Sequence, residues 1–210
     1  MSTWDPSGLG ANIVLSGANL TAAKAAGFSA WTSAKCTASK AAGLFYFSIT
    51  VNQIDGGNGF IIGLGNSSQS TANYPGSSGN SVGVQGNIGN WYPSFGSPGP
   101  IYVTGDRLLM AFNMTTGKVW ARANSTWPSG WNPSTNAGGI THGIAGDLYP
   151  MIGLFGSTLG DSGTADFSSS DPDANLTGFS PFDAAPPTPN VIVLKKQSRL
   201  LIQRLVVHRN

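Results

Sequence analysis

The sequence predicts an all-β fold, a two-sheet antiparallel sandwich followed by a short basic extension, and four observations carry that reading. Only 10% of the 210 residues are charged, against about 25% in an average soluble domain. All nine acids are Asp, with no Glu, and Lys, Arg and Ala are too sparse to furnish a succession of solvent-facing helices. Gly (29) and Pro (13) punctuate the chain but together stay below the roughly 25–30% at which an unfolded, low-complexity chain takes over. Finally, short apolar or alternating runs recur between Gly, Asn, Ser and Pro clusters, as strands do when tight turns join them. Strands without interleaved helices pack as two sheets.

Taken in order, Leu20 to Ala26 carries alanines and is the only stretch that suggests a helical turn. The clearest strand is Leu44-Phe45-Tyr46-Phe47-Ser48-Ile49-Thr50-Val51, begun at Gly43 and left at Asp55-Gly56-Gly57. Gly59-Phe60-Ile61-Ile62-Gly63-Leu64 follows. Arg107 to Met114 turns at Thr115-Thr116-Gly117 into Lys118 to Ala123, which reads as a hairpin. Leu148 to Phe155 contains Pro150, which suits an edge or a strand's first residues. Two polar stretches, 66–100 and 125–146, exceed the usual connection of about 4–6 residues. Long loops on a rigid sandwich are where recognition sits, and these hold Trp91, Tyr92, Trp127 and Trp131. Those four, with His142, are the candidate ligand-binding residues, the aromatics as anchors that stack on a sugar face or fill a partner's pocket. Packing at the ends of the sandwich is the competing role for each of them, and Trp120 on the hairpin is expected in the core.

Charge divides the chain in two. Residues 1–189 hold six basic residues and all nine Asp, net −3, whereas 190–210 hold five basic residues and no acid. Ala184-Ala185-Pro186-Pro187-Thr188-Pro189 has linker composition, since each Pro fixes φ and lacks a donor. The expected organisation is a domain at 1–183, a linker at 184–189 and a basic, apolar anchoring or oligomerisation segment at 190–210. Left free in water, that segment would expose ten apolar residues (191–194, 200–202 and 205–207). Its candidate anchor residues are Lys195, Lys196, Arg199, Leu201, Arg204 and Leu205. Docking on its own domain, on a neighbouring subunit, or on a membrane or nucleic acid are its three options.

Other chemistries find little to stand on. No apolar run approaches the roughly 20 residues of a transmembrane helix. Met1 to Pro6 has neither the basic nor the apolar region of a secretory signal peptide. The lone Cys36 has no disulfide partner and is expected to pack in the core. No Asp pair is singled out for glycosidase work. Gly160-Asp161-Ser162-Gly163 has the letters of a serine-protease nucleophile loop, but the convergent base and oxyanion hole are not indicated. His142 and His208 match no zinc signature. Asp171, Asp173 and Asn175 place oxygens at alternating positions and form a weak calcium candidate. The Gly and closing Glu of a calcium loop are missing, so a solvated turn is the expected form. No cofactor is implied.

Five blocks in order carry a family resemblance. Gly43-Leu44-Phe45-Tyr46-Phe47, then Gly59-Phe60-Ile61-Ile62-Gly63-Leu64, then Gly105-Asp106-Arg107 leading to Thr116-Gly117-Lys118-Val119-Trp120, then Leu148-Tyr149-Pro150-Met151-Ile152-Gly153-Leu154, and finally Asp166-Phe167, resemble the SPRY domain. With Trp4-Asp5-Pro6 and a first strand at Ile13-Val14-Leu15-Ser16, the resemblance covers roughly residues 4–183. Ser48, Asn113, Asn124-Ser125 and Asp166-Phe167-Ser168 depart from the family's common residues and mark a divergent, low-charge branch. The resemblance implies a bent β-sandwich, similar in shape to concanavalin-like jelly rolls, that binds partners through its loops without catalysis. Glu-free, Gly- and Asn-rich forms look like phage or bacterial structural proteins, by analogy. The expected function is a non-enzymatic virion component, a capsid decoration or tail-associated protein. It would dock on other virion subunits, its own copies included, and present loops to a host-surface protein or glycan. A lectin-like carbohydrate binder and an intracellular, cytoplasmic adaptor for a peptide are the alternatives.

Overall fold

In a computed structural model the chain is a two-sheet antiparallel β-sandwich, described over residues 1–55, 60–93, 96, 99–158 and 160–184. The expected anchor at 190–210 and the linker, apart from Ala184, lie outside the described residues. Thirteen strands follow one another in the described residues: β1 (Ile13–Ser16), β2 (Thr21–Lys24), β3 (Phe28–Lys35), β4 (Leu44–Gln53), β5 (Ile61–Gly65), β6 (Ser81–Gln85), β7 (Asn90–Tyr92), β8 (Arg107–Asn113), β9 (Lys118–Ala123), β10 (Ile140–Thr141), β11 (Tyr149–Gly156), β12 (Ser162–Asp166) and β13 (Ser180–Pro181). The first sheet runs β1-β2-β12-β4-β8-β9-β10, with β13 beside β4, and the second runs β3-β11-β5-β6-β7.

Period-two alternation fills the space between the sheets. Phe47, Ile49 and Val51 of β4, Leu108, Met110 and Phe112 of β8, and Val119 and Ala121 of β9 meet Ile62, Leu64, Val82, Val84, Ile152 and Leu154 of the second sheet in one core. The alternate residues of the first sheet, Tyr46, Leu109 and Ala111, form a second small core on its outer face beneath Leu176, Trp127 and Phe179. A third layer, made of the segments after β9 and after β12, therefore covers that face. Trp120 is fully buried and donates from Nε1 to the Ala137 carbonyl at 2.8 Å. Cys36 is buried too, and burial pushes its thiol up to about 11.

The outer face of the second sheet is covered by residues 66–80. Pro75 lies on Gly63, Gly83 and Gly153 of three neighbouring strands, where a Cβ on Gly63 would stand 2.4 Å from Pro75 Cβ and 2.3 Å from the Val82 carbonyl oxygen. Buried Gln69 ties the segment together: its amide donates to Ser70 O and Ser77 Oγ, and its carbonyl accepts from Ser78 and Ser81. Lys35 Nζ donates to the carbonyls of Asn66, Ser67 and Gln69 at 2.8–3.3 Å, fastening the loop to β3.

Two expectations change and a third is decided. Leu20 to Ala26 contains β2 rather than a helical turn: alternation buries Ala22 and Lys24, and Thr21 meets Thr164 across the ladder at 2.8 Å, so sheet pairing outweighs alanine's propensity. The stretch 66–100 is not a free loop, because it contains β6 and β7 and its first half lies flat on a sheet. Pro150 is the second residue of β11, which runs between β3 and β5, and this start of the strand is a place a proline tolerates.

The two ends of the domain meet. The Ser2 amide donates to Asp183 Oδ2 at 2.6 Å, the Ser2 hydroxyl donates to the other carboxylate oxygen, and the Phe182 amide donates to Tyr46 O.

Candidate binding surface

The outer face of the first sheet carries an ionic cluster at its β8–β9 end. Arg107 opens β8 and Arg122 lies in β9, both on the alternate, outward positions shared with Leu109 and Trp120. Arg107 Nε donates to Ser48 Oγ at 3.1 Å and Nη1 to Asp171 Oδ2 at 2.8 Å. Arg122 Nη2 donates to the same oxygen at 2.6 Å, and Nη1 donates to the Asn124 carbonyl at 2.7 Å while lying 3.5 Å from Asp173 Oδ2. The Trp127 indole donates to Asp173 Oδ2 at 2.7 Å and lies 5.4 Å from the Arg122 guanidinium. Burial opposes the charge on Asp171, yet hydrogen bonds from Arg107 and the Asp173 amide, with the nearby guanidinium charges, hold its carboxyl below the usual range.

Around this cluster opens a cleft of about 560 Å³, lined by Arg107, Arg122, Ser125, Asp171, Asp173 and Asn175 among others. A second recess of about 280 Å³ lies beside it, walled by Pro100, Ile101, Trp127 and Pro128. Ile101 also borders a third depression, with Ile54, Tyr102 and Val103. Ile101 and Val103 are 66% and 62% exposed, and Ile88 is 46% exposed. Trp127 walls the apolar recess, and its indole donates to Asp173 of the polar cleft.

The structure distributes the sequence-derived candidates unevenly. Trp127 stands in the wall of the apolar recess, joined to Asp173 of the cleft. Trp91 does not: pairing of β7 with β6 turns it inward opposite Val84, where it is 1% exposed and packs on half-buried Trp131 with ring centroids 5.9 Å apart. It is a core residue, not an exposed anchor. Tyr92, next on the strand, points outward, donates to Gln85 Oε1 at 2.9 Å and meets Tyr74 edge-on. His142 is held at the β8–β9 turn, its amide on Gly117 O and its Nδ1 accepting from the Ile144 amide; burial lowers its pKa. Asp171, Asp173 and Asn175 do form a turn, with Asp173 capping the 3-10 turn Ala174–Leu176, but not a solvated one. Its carboxylates face the Arg107 and Arg122 guanidiniums. No group of three or more His, Cys, Asp or Glu able to hold a metal occurs among the described residues.

Sequence reasoning passed over Arg107 and Arg122. Their signal is positional: they are the only arginines before residue 190, each in a strand at the parity opposite to its core-facing neighbours. Asp161, of the Gly160-Asp161-Ser162-Gly163 stretch, is fully buried and accepts the amides of Asp55 (2.5 Å) and Phe155 (2.7 Å). Burial first, and then the Asp55 charge, push its pKa up to about 7 against those hydrogen bonds and the Lys24 ammonium.

Solved structures with this arrangement of strands include the SPRY domain of human HERC1, at 12% identity and a TM-score of 0.60, aligning 77% of this chain with 96% of that one. The PSpry domain of TRIM65 aligns at 14% identity and a TM-score of 0.56, over 79% of this chain and 91% of that one. The fold is that of a SPRY domain. A human SPRY domain agrees, at 16% identity and a TM-score of 0.55, over 76% of this chain and 98% of that one. No protein-family model and no curated protein matches the sequence. The SPRY expectation drawn from five short blocks thus holds at the level of the fold, including the all-β sandwich.

Proposed function

We propose that this SPRY-fold chain is a non-enzymatic binding module that serves as a virion component, a capsid-decoration or tail-associated protein. In this reading 190–210 is its anchor and the surface between Arg107 and Val103 faces its partner. The observation that carries the binding reading is the open cleft at Arg107 and Arg122, with the exposed Ile101 in a separate recess walled also by Trp127. A concave polar site edged by exposed apolar side chains is what a partner surface needs. The virion reading is supported by composition: 1–189 is net −3 and free of Glu, whereas 190–210 carries five basic and ten apolar residues of the kind that must be covered.

The test compares the full chain with a Leu201→Asp/Leu205→Asp variant, by light scattering and by incorporation into particles. The wild-type chain is expected to multimerise or to enter particles, and the variant to stay a monomer outside them. Equal behaviour as monomers, with equal incorporation, removes the anchor and leaves a free-standing adaptor as the better reading.

A further inference from the structure

Of the four strands that end the two sheets, three are closed off. β3 receives the Gly10 amide on Ser33 O and the Asp5 amide on Lys35 O, and its Ser33 amide donates to Thr71 O. β7 is bridged by Gly96, whose carbonyl accepts the Trp91 amide at 3.0 Å, and β10 is two residues long. β1 is the exception. The Ala25 amide donates to Asn12 O, while the Lys24 amide turns the other way, to Asp161 O. Alternation along the antiparallel pair then bonds Val14 to Ala23 of β2 and aims the N–H and C=O of Ile13 and Leu15 away from β2. The Ile13 amide bends back to Gly10 O at 3.4 Å, but the Leu15 N–H and C=O meet no partner beyond β2 among the described residues.

Natural edge strands are guarded by a lysine, a proline, a bulge or a covering loop. Ile13-Val14-Leu15-Ser16 has neither of those residues and pairs with β2 in unbroken register. Val14, on the outward face, is 66% exposed, and Leu15 is only half-buried although it packs against the main core. A strand laid along this edge would put one row of side chains beside Leu15 and the other beside Val14, so apolar residues suit both of its faces. Val191-Ile192-Val193-Leu194 is such a run, with three β-branched residues and no charge.

The last described residues also lie within reach of the edge. Asp183 is clasped to Ser2, and two positions on, the Trp4 amide donates to Asn19 O at 2.9 Å, in the turn that joins β1 to β2. Ser2 and Trp4 are at most about 7 Å apart, whereas residues 185–190, at about 3.3 Å each, can cover roughly 20 Å before Val191. A segment arriving past that turn would run from Ser16 toward Ile13, antiparallel to β1.

We propose that residues 191–194 of the same chain add to β1 as an antiparallel strand of the first sheet, the Leu15 N–H and C=O exchanging bonds with one tail residue. This goes beyond the binding-module reading. It divides the tail in two, with 191–194 closing the sheet and 199–207 left to serve as the anchor.

The test is disulfide mapping in the full chain. Val14→Cys is combined in turn with Val191→Cys, Ile192→Cys, Val193→Cys and Leu194→Cys, oxidised at low protein concentration and run on a non-reducing gel. Val14 would hold a non-hydrogen-bonded position of the new pair, where facing Cα atoms are about 4.5 Å apart, within the span of a disulfide. Cys36 stays out of the reaction, being buried with its thiol pushed up to about 11. One pairing should give an intrachain bond that is lost one residue to either side, where side chains point to the opposite face. Ile192→Pro/Val193→Pro, which removes donors from the added strand, should speed exchange of the Leu15 amide by about tenfold, the scale of one net hydrogen bond. Equal linking at all four positions, or at none, overturns the proposal, as does Leu15 exchange that ignores the prolines. A dimer overturns it too: formed by Val14→Cys alone, it gives the edge to β1 of a second copy; formed only with a tail cysteine, it gives the edge to a neighbouring chain's tail. The gel reads isolated chains, so failed particle incorporation leaves its result standing, and a failed cross-link leaves the anchor at Leu201 and Leu205 untouched.

Discussion

The two outer faces of the sandwich are covered by segments of similar length held down in opposite ways. On the second sheet, residues 66–80 lie close to the strands because Gly63, Gly83 and Gly153 have no side chains to lift them, and Pro75 fills the resulting trough. On the first sheet the covering segments stand off on side chains, with Arg107 and Arg122 reaching up to Asp171 and Asp173, and Trp120 and Trp127 filling beneath. The first arrangement seats Pro75 directly on the strands and leaves a smaller depression, of about 340 Å³, at the loop's rim between Asp5, Lys35 and residues 67–71. The second, built from long polar side chains that meet end to end, leaves the open cleft, and that is why the candidate binding surface lies on the first sheet.

The contrast is broken most severely at the glycine trough. Gly63→Ala places a Cβ against two backbone-fixed neighbours and should cost about 3 kcal/mol or more, read from the guanidinium midpoint. An unchanged midpoint would mean that the loop does not rest on the sheet. On the other face, Asp171→Ala leaves two guanidiniums without their shared carboxylate and should cost about 3 kcal/mol. Adding Arg122→Met to Asp171→Ala should recover part of it, because the stranded buried charge is then gone. Gln69→Leu should cost about 2 kcal/mol, since it leaves the hydroxyls of Ser77, Ser78 and Ser81 with one partner fewer. Far-ultraviolet spectra of this variant should show the sandwich intact.

Acidity sharpens the comparison last. Asp171 has a lowered folded pKa, so its contribution is present above the unfolded value of 3.8 and is lost as pH falls through the folded one. The ionic face should therefore loosen in acid, while the glycine face has no such group to titrate among its trough contacts. Asp161 has the opposite sign. Its folded pKa of about 7 makes its contribution complete below 3.8 and lost as pH rises toward 7. Stability measured from pH 4 to 8 should fall in the wild-type chain and run flatter in Asp161→Asn; parallel curves would rule out the buried carboxyl as the cause.

Much of the sandwich was legible in the sequence where strands alternate cleanly: β1, β4, β8 and β9 begin and end within a few residues of their sequence-derived positions. β3, β6 and β7 were not, for a physical reason. β6 alternates Val82 and Val84 with Ser81, Gly83 and Gln85, its central outward position kept small beneath Pro75; β3 turns only Thr32 and Ala34 to the core, and β7 has three residues, too few to show a period. The site was half legible. Trp127, Asp171 and Asp173 stand out as residues, but their partners lie 49 and 64 positions away on strands whose neighbours read only as core. Alternating oxygens in a short segment suggest calcium from within the segment alone, and only the fold brings arginines to them.

The clasp between Ser2 and Asp183 has a topological consequence. Because residue 183 returns to residue 2, a bridge of a few residues could join them, and the ring could be cut at the exposed Thr115–Thr116 turn without breaking the β8–β9 ladder. The same closeness makes the sandwich a cassette: spliced into a surface turn of an unrelated host protein, it would ask the host's backbone to part by little more than the width of a strand pair.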